Sequence, residues 1–380
     1  MSLPILSCLS NGMFTYIFGI YTLIYVAFLA WLERGAFAIC KADKAKPEPD
    51  SQQAISIIIA AKNELPHLPH LLYSLAAMRY PDSCYEVIIV NDHSSDGSAE
   101  YLVTQSIVPN LRVIDFTWTQ DGLVGKKAAI QQGINAARYN ILAFTDADCL
   151  VPPNWLKEIN RSMTEETDYL LAYSVMQRTP TGSAFRLKNF ERGVYYALAA
   201  AGLHYRIPFT SSACNMVYRK SVFEASGGFD GIGHLLSGDD DLLLMKMMPN
   251  IRKAAFNPNL RMQVCSIDGT DAAKHHQTNI RRASKFLLHP WWLQLTSASV
   301  FVYFCLFYWS LFSAIFGQPN GILVLSLIMK TSTEFSFCLH HFRRIEQAKL
   351  GALYPVQILL FPAQFIFYAL RGTLGRYSWK

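Results

Sequence analysis

Three stretches of this 380-residue chain contain no Asp, Glu, Lys or Arg: residues 1–32, 286–329 and 350–370. A helix needs about 20 consecutive apolar residues to cross a bilayer core, and each stretch is long enough to supply them. Nearly all the charge lies in residues 33–285. Overall 51% of residues are hydrophobic and 16% charged, against roughly a quarter charged in an average soluble domain. This pattern excludes a disordered chain, a secreted disulfide scaffold and a simple cytosolic enzyme. It leaves a water-exposed domain of about 240 residues, within the size of one large domain, flanked by membrane segments.

The run MFTYIFGIYTLIYVAFLAWL at 13–32 predicts a spanning helix. It lacks the basic start and small-residue cleavage site of a signal peptide, so an uncleaved anchor over residues 1–33 is expected. Arg34, Lys41, Lys44 and Lys46 follow, and the positive-inside rule then puts the next segment in the cytoplasm. Residues 34–53, ending in the polar KADKAKPEPDSQQ, read as a linker, and 54–290 as the water-exposed domain. Residues 291–380 read as a C-terminal membrane region: 291–316, opened by Trp291 and Trp292, a turn at GQPNG, then 322–340 and 352–370. Lys330 and Glu334 interrupt the second of these segments and share one helix face. Charges at such depth are usually paired or functional. The expectation is a multi-pass integral membrane protein whose main domain is cytoplasmic.

The net charge of +6 suits contact with anionic lipid headgroups. No basic stripe with interleaved aromatics appears, so nucleic acid is not an expected partner. The eight cysteines are scattered without a CxxC pair, which indicates neither a zinc site nor a disulfide framework.

Within the water-exposed region, strand and helix patterns alternate. ISIIIAA (55–61), EVIIVND (86–92), LRVIDF (111–116) and ILAFTDAD (141–148) are short apolar runs ending in polar turns, as buried strands do. Between them PHLPHLLYSLAAM, with Pro66 at its start, SSDGSAEYLVTQS and GKKAAIQQGINAA have helical spacing, and PPNWLKEINRSM follows the last. Such alternation predicts an α/β domain with a mostly parallel central sheet covered on both faces. Ligands then bind beyond the carboxyl ends of the strands, where Asn63-Glu64, Asn91-Asp92 and Asp146-Ala147-Asp148 fall.

Asp146 and Asp148, two apart at a strand end, can both address one hard cation such as Mg²⁺ or Mn²⁺, or cap the helix after Pro152. Asp92, in VNDHSSDGS, can receive a ribose or base edge, or simply make an Asp/Ser turn. The adjacent Asp239, Asp240 and Asp241 include a candidate general base, or belong to a helix first turn favoured by the dipole. Arg281, Arg282 and Lys285 can hold a departing diphosphate, or contact lipid headgroups. GLVGKKAA lacks the spacing of a P-loop.

As an ordered set, these residues resemble family 2 of the inverting glycosyltransferases, which contains the cellulose, chitin and hyaluronan synthases and ceramide glucosyltransferase. The resemblance covers roughly residues 54–290 and the membrane layout. It implies a nucleotide-sugar-binding, Rossmann-like domain of GT-A type with transmembrane helices at both ends. SIIIAAKNE is similar to the family's first strand, implying donor contacts from Ala61, Asn63 and Glu64. VNDHSSDGS implies Asp92 as a uracil or ribose ligand, and the Gly-Lys helix implies Lys126 near the nucleotide. TDAD matches the metal motif, with Asp146 facing the nucleotide sugar and Asp148 the Mg²⁺ or Mn²⁺. The segment around SACNMVYRKSVFEASGGFD implies Asn215 on the acceptor side. SGDDD implies Asp240 as the base and Asp239 as its neighbour toward the acceptor, and Arg281 would retain the diphosphate.

The chain departs from the family at QTNIRR. Aligning on Arg281 puts Thr278 where the family's Q-x-x-R-W pattern has Gln, and Arg282 where it has Trp. That substitution and the short membrane region weigh against a processive polysaccharide synthase, the main rival. The expected reaction is transfer of a sugar, from a UDP-sugar by preference, to a lipid or lipid-linked glycan. A catalytically inactive scaffold is the alternative from another class, and the intact Asp92, Asp146, Asp148 and Asp240 set speaks against it.

Overall fold

The computed structural model describes residues 3–116, 122–176, 183–235, 237–267, 272–317 and 319–374. The chain divides into two compact units. One comprises Gly35–Asp271 with Arg343–Gln347, the other Met1–Arg34, Ala272–Phe342 and Ala348–Lys380.

A first helix, α1 (Leu3–Lys44), runs through the expected anchor and on past Glu33. Residues 34–44, expected as linker, are therefore helical. The last turn of α1 is fixed by Asp43, which accepts from the Arg161 guanidinium at 2.9 Å, and by Lys46, which donates to Ser162 O at 2.6 Å.

The first unit then alternates as expected: β1 (Ile55–Ala61), α2 (Leu68–Ala76), β2 (Tyr85–Asn91), α3 (Ser98–Val103), β3 (Leu111–Asp115), α4 (Lys126–Ala136) and β4 (Ile141–Phe144). The proline in the first turn of α2 is Pro69, not Pro66, because Glu64 and His67 form the turn before the helix. After β4 come β5 (Cys149–Leu150), α5 (Trp155–Ser162), β6 (Thr167–Ala172), β7 (Ser174–Met176), α6 (Ser183–Tyr205), β8 (Met216–Arg219), α7 (Lys220–Ala225), α8 (Asp241–Met247), β9 (Lys253–Asn257) and β10 (Val264–Ser266).

Seven strands form one sheet in the order β3-β2-β1-β4-β8-β6-β9. The pairs β1/β2, β2/β3, β1/β4 and β6/β9 are parallel, and β8 is antiparallel to both its neighbours. The sheet is thus mostly parallel, as the apolar strands foretell. Ile55, Ile57 and Ile59 enter one core with Leu71, Leu75, Trp155 and Val217. Ile58 points to the other face, against α4, where a Cβ on Gly133 would lie 2.6 Å from Ile58 Cγ2. Gly133 lets α4 settle that closely on the sheet.

The fourth strand is shorter than the predicted 141–148. It ends at Phe144, and Cys149–Leu150 pair instead with β10 in a separate three-stranded sheet, β5-β10-β7. Thr145-Asp146-Ala147-Asp148 is therefore the link where the chain leaves one sheet for another.

The second unit contains α9 (Ala272–Ser284), α10 (Trp291–Phe316), α11 (Gly321–Arg344) and α12 (Tyr354–Leu374). Among the described residues, Met13–Lys44, Trp291–Phe316, Gly321–Arg344 and Ala348–Thr373 are helical stretches long and apolar enough to cross a membrane. The helix α9, expected within the 54–290 domain, groups with these helices. Lys330, fully buried, reaches both oxygens of Glu334 at 2.8 Å and lies 4.1 Å from the centre of the Phe307 ring. Tyr25 and Tyr354 donate to the same carboxylate at 2.8 and 3.0 Å. The intrahelical charge pair is thus hydrogen-bonded on every side, which is what makes its burial tolerable.

Candidate active site

Parallel strands β1, β2 and β4 deliver their carboxyl ends to one edge of the sheet, and the acids collect there. Asp92 follows β2 directly. Its backbone N–H donates to Ala61 O at 2.7 Å, so the carbonyl of Ala61 ties two strand ends together. The carboxylate of Asp92 is buried, 3.6 Å from Lys62 Nζ and 3.1 Å from His93 Nδ1.

Asn63 and Glu64 lie beside it but are occupied by the loop. Asn63 has a left-handed φ of 55°, its N–H donates to Ser94 Oγ at 2.9 Å, and its side-chain oxygen accepts from Ser95 N at 2.8 Å. The Glu64 N–H donates to Ser98 Oγ at 3.1 Å, and the Glu64 carboxylate is 2.7 Å from His67 Nδ1. Asp96 stays ionised below the ordinary aspartate range: burial opposes this slightly, and the Ser98 hydroxyl and the N–H groups of Leu65 and Ser98 outweigh it. These bonds tie the turn after β1 to the Ser94–Ser98 loop.

The centre of the site is Lys126, the first residue of α4. Its Nζ lies 2.5 Å from Asp146 Oδ1 and 3.3 Å from Asp239 Oδ2. Burial works against the ammonium charge, but the two carboxylates outweigh it and raise the Lys126 pKa well above its ordinary value. Burial likewise opposes ionisation of Asp146, yet Lys126 and the Cys214 thiol hold its carboxyl below the ordinary range. Cys214 Sγ donates to Asp146 Oδ2 at 2.8 Å. Asp148 behaves oppositely: burial first, then the charge of Asp146, pushes its carboxyl above the ordinary value. Cys149 donates weakly to Asp148 Oδ1 at 3.3 Å, and among the described residues Asp148 Oδ2 accepts no hydrogen bond.

The three consecutive acids divide by geometry. Gly238 turns the chain at φ 97°, and a Cβ there would lie 2.5 Å from Leu242 Cδ1. Lys127, buried, anchors the preceding loop by donating to Leu235 O and, at 2.8 Å, to Ser237 O. Asp239 then faces Lys126. Asp240 is the N-cap of α8 and accepts from Asp241 N at 2.7 Å. Asp241 accepts from Leu242 N at 2.8 Å. The acid joined to the Lys126–Asp146 pair is Asp239, whereas the family resemblance implies Asp240 as the base.

Asn215 requires a correction. It is fully buried, its amide donates to Tyr173 O at 3.0 Å and Met262 O at 2.7 Å, and its oxygen accepts from Trp155 Nε1 at 3.0 Å. An acceptor has no access to it, and its work is to fix the turn Ala213–Asn215. Arg281 lies on α9, in the other unit.

Sequence reasoning did not find Lys127, Cys149, Cys214 or Arg192. Arg192 Nη2 is 3.6 Å from Cys214 Sγ. Lys127 stands next to the Lys that was singled out, and Cys149 directly follows the acid pair. Cys214 and Arg192 arrive by tertiary contact alone.

Comparison with known proteins fits this geometry. Residues 56–227 match the family described as glycosyl transferase family 2. It is 28% identical over 190 residues to a protein named glycosyltransferase AglE from Haloferax volcanii, covering 49% of this chain and 58% of that one. It is 38% identical over 106 residues to a 4,4'-diaponeurosporenoate glycosyltransferase of Staphylococcus aureus, covering 28% of this chain and 26% of that one. The matches thus span little more than half of the first relative and about a quarter of the second. The fold is similar to that of the mannosyltransferase PcManGT from Pyrobaculum calidifontis, solved in complex with GDP-Man and Mn²⁺. That likeness has a TM-score of 0.53 at 15% identity and covers 94% of this chain and 99% of PcManGT.

Proposed function

We propose that this protein is a membrane-bound inverting glycosyltransferase that moves a sugar from a nucleotide-sugar, a UDP-sugar by preference, to a hydroxyl of a lipid or lipid-linked glycan. The observation that carries the reading is the convergence of Lys126, Asp146 and Asp239 at the carboxyl ends of parallel strands in a family 2 domain. Names of the two relatives support sugar transfer, and the apolar helices with the basic residues of 34–46 support a membrane protein with a cytoplasmic catalytic domain.

Each residue has a task. Asp92 accepts hydrogen bonds from the nucleoside. Lys126 turns its ammonium to the diphosphate, and that movement releases Asp239. Asp239 then takes the proton of the acceptor hydroxyl as its oxygen attacks the anomeric carbon. Asp146 orients the sugar from the opposite side of Lys126. A single displacement inverts the anomeric centre and needs no sugar–enzyme bond. Arg281 is assigned to the diphosphate by the sequence resemblance. Asp148, an oxygen donor with one uncommitted oxygen and a charge that burial disfavours, fits a hard divalent ion. When bound, Mg²⁺ or Mn²⁺ supplies charge neutralisation to the leaving diphosphate.

Arg282 in place of the aromatic residue of the polymer synthases supports a single transfer. The test is to incubate the purified full chain with a panel of UDP- and GDP-sugars and Mn²⁺, with and without lipid extract. Nucleotide release that rises with lipid, yielding a product carrying one sugar, is expected. No release with any donor overturns the reading, and a polymeric product replaces it with a processive synthase.

A further inference from the structure

Beside the carboxylates lies a cluster of softer donors. Asp146, Cys149 and Cys214 bring a carboxylate oxygen and two sulfurs within 4.8 Å of one another. They come from three separate places: the link after β4, the first residue of β5 and the turn before β8. We propose that these three residues form a site for a thiophilic divalent cation, zinc or cadmium, that overlaps the donor pocket.

The chemistry of the donors supports it. Tetrahedral zinc with two thiolates and a carboxylate holds its ligand atoms about 3.5–3.8 Å apart. Separations of up to 4.8 Å would shorten by about an ångström, and the 2.8 Å between Cys214 Sγ and Asp146 Oδ2 would open as the shared proton leaves. The backbone is already fixed on both sides: Cys149 N donates to Asp146 O at 3.1 Å, and Asn215, the residue after Cys214, is clamped by its bonds to Trp155, Tyr173 and Met262. A fourth position remains for water or for Asp148, whose Oδ1 is 3.3 Å from Cys149 Sγ. Binding replaces the two thiol protons, which pass to solvent, and frees Asp146 Oδ2 from the Cys214 S–H. Two thiolates and one carboxylate leave one negative charge on the bound cation, and Lys126 and Arg192 face it.

Sulfur ligands select zinc and cadmium over magnesium and manganese. The site therefore discriminates against the hard ion proposed for Asp148 while sharing its neighbour Asp146. Zinc bound here takes Asp146 from the sugar and blocks transfer. The binding itself does not depend on the transfer reading; the inhibition does.

The experiment uses the reduced, metal-free full chain in detergent. Cadmium is titrated while the ultraviolet sulfur-to-cadmium charge-transfer band is recorded, and zinc stoichiometry is measured by equilibrium dialysis. The wild type is expected to bind about one equivalent more than Cys149→Ser/Cys214→Ser, with Cys84→Ser behaving as wild type. Equal stoichiometry and equal band in the double variant overturn the site. Should that variant not fold, alkylation of Cys214 in the wild type decides: zinc is expected to slow it, because the metal-bound thiolate is no longer the free nucleophile, and an unchanged rate overturns the site. Cadmium binding at these cysteines in a preparation inactive with every sugar nucleotide leaves the site standing and defeats the transfer reading instead.

Discussion

Asp146 and Asp239 share one cation: Lys126 Nζ is 2.5 Å from a carboxylate oxygen of the first and 3.3 Å from one of the second. The two acids come from the end of β4 and the start of α8, and α4 supplies the ammonium between them. Lys126 thus stands between the acid proposed to orient the sugar and the acid proposed as the base.

Replacing Lys126 by Met leaves those two carboxylates without their common partner. Transfer is expected to fall by about 10²–10³-fold, as when a charge-stabilising donor is removed. The pH dependence moves too. Asp146 is held below its ordinary pKa, so its contribution to stability is present above the unfolded value of 3.8 and is lost as pH falls through the lowered folded value. Without Lys126 the lowering is lost, and with it Asp146's share of the stability that acid removes. Acid unfolding curves of wild type and Lys126→Met check this, and superimposable curves would contradict it.

Asp239→Asn is expected to reduce transfer by about 10²–10⁴-fold, the usual contribution of a general base. Asp240→Asn is expected to retain most activity, because asparagine caps a helix as well as aspartate does. Asp240→Ala loses the cap and about 1 kcal/mol of stability. Steady-state kinetics and thermal melting on the three variants separate these roles. An inactive Asp240→Asn beside an active Asp239→Asn returns the base to the residue that the sequence pattern favours.

Asp148 is pushed above its ordinary pKa by burial and by Asp146. Its folded form therefore binds a proton more readily than its unfolded form, and the stability this brings is lost as pH rises from 3.8 through the folded value. At neutral pH without divalent ions, Asp148→Asn is expected to melt higher than wild type, and the advantage should shrink toward acid pH. Mn²⁺ should raise the melting temperature of wild type through mass action and leave that of Asp148→Asn unchanged. Equal Mn²⁺ stabilisation of both proteins rules out Asp148 as a ligand.

Asn215→Ala tests a structural residue. It strips partners from Trp155 Nε1 and from the carbonyls of Tyr173 and Met262, at about 1–3 kcal/mol for each buried group left unsatisfied. The melting temperature should drop sharply, while the acceptor KM measured below that temperature stays at its wild-type value. A raised KM with unchanged melting reinstates an acceptor contact.

The alternating pattern and the uncharged stretches were sufficient to foresee a mostly parallel α/β domain and helices of membrane length, because strand burial and helix length are local properties of a run of residues. The tips of β1, β2 and β4 were legible for the same reason: a polar residue ending an apolar run marks where a strand must surface. Family resemblance singled out Lys126, Asp146 and Asp148 one by one, and the fold brings Lys126 onto Asp146. Division of labour was not legible. Asp239, Asp240 and Asp241 are chemically identical in the sequence, and only the start of α8 decides that Asp240 caps a helix while Asp239 meets Lys126. Asn215 looked like a site residue because a polar side chain in a motif gives no sign of whether it is buried. Cys214 reaches Asp146 only after β8 packs antiparallel beside β4, and Arg192 meets Cys214 from α6. Sequence thus determined which segments become strands and helices, through burial and periodicity; tertiary structure decided which side chains share a charge, because contact across the sheet leaves no local pattern.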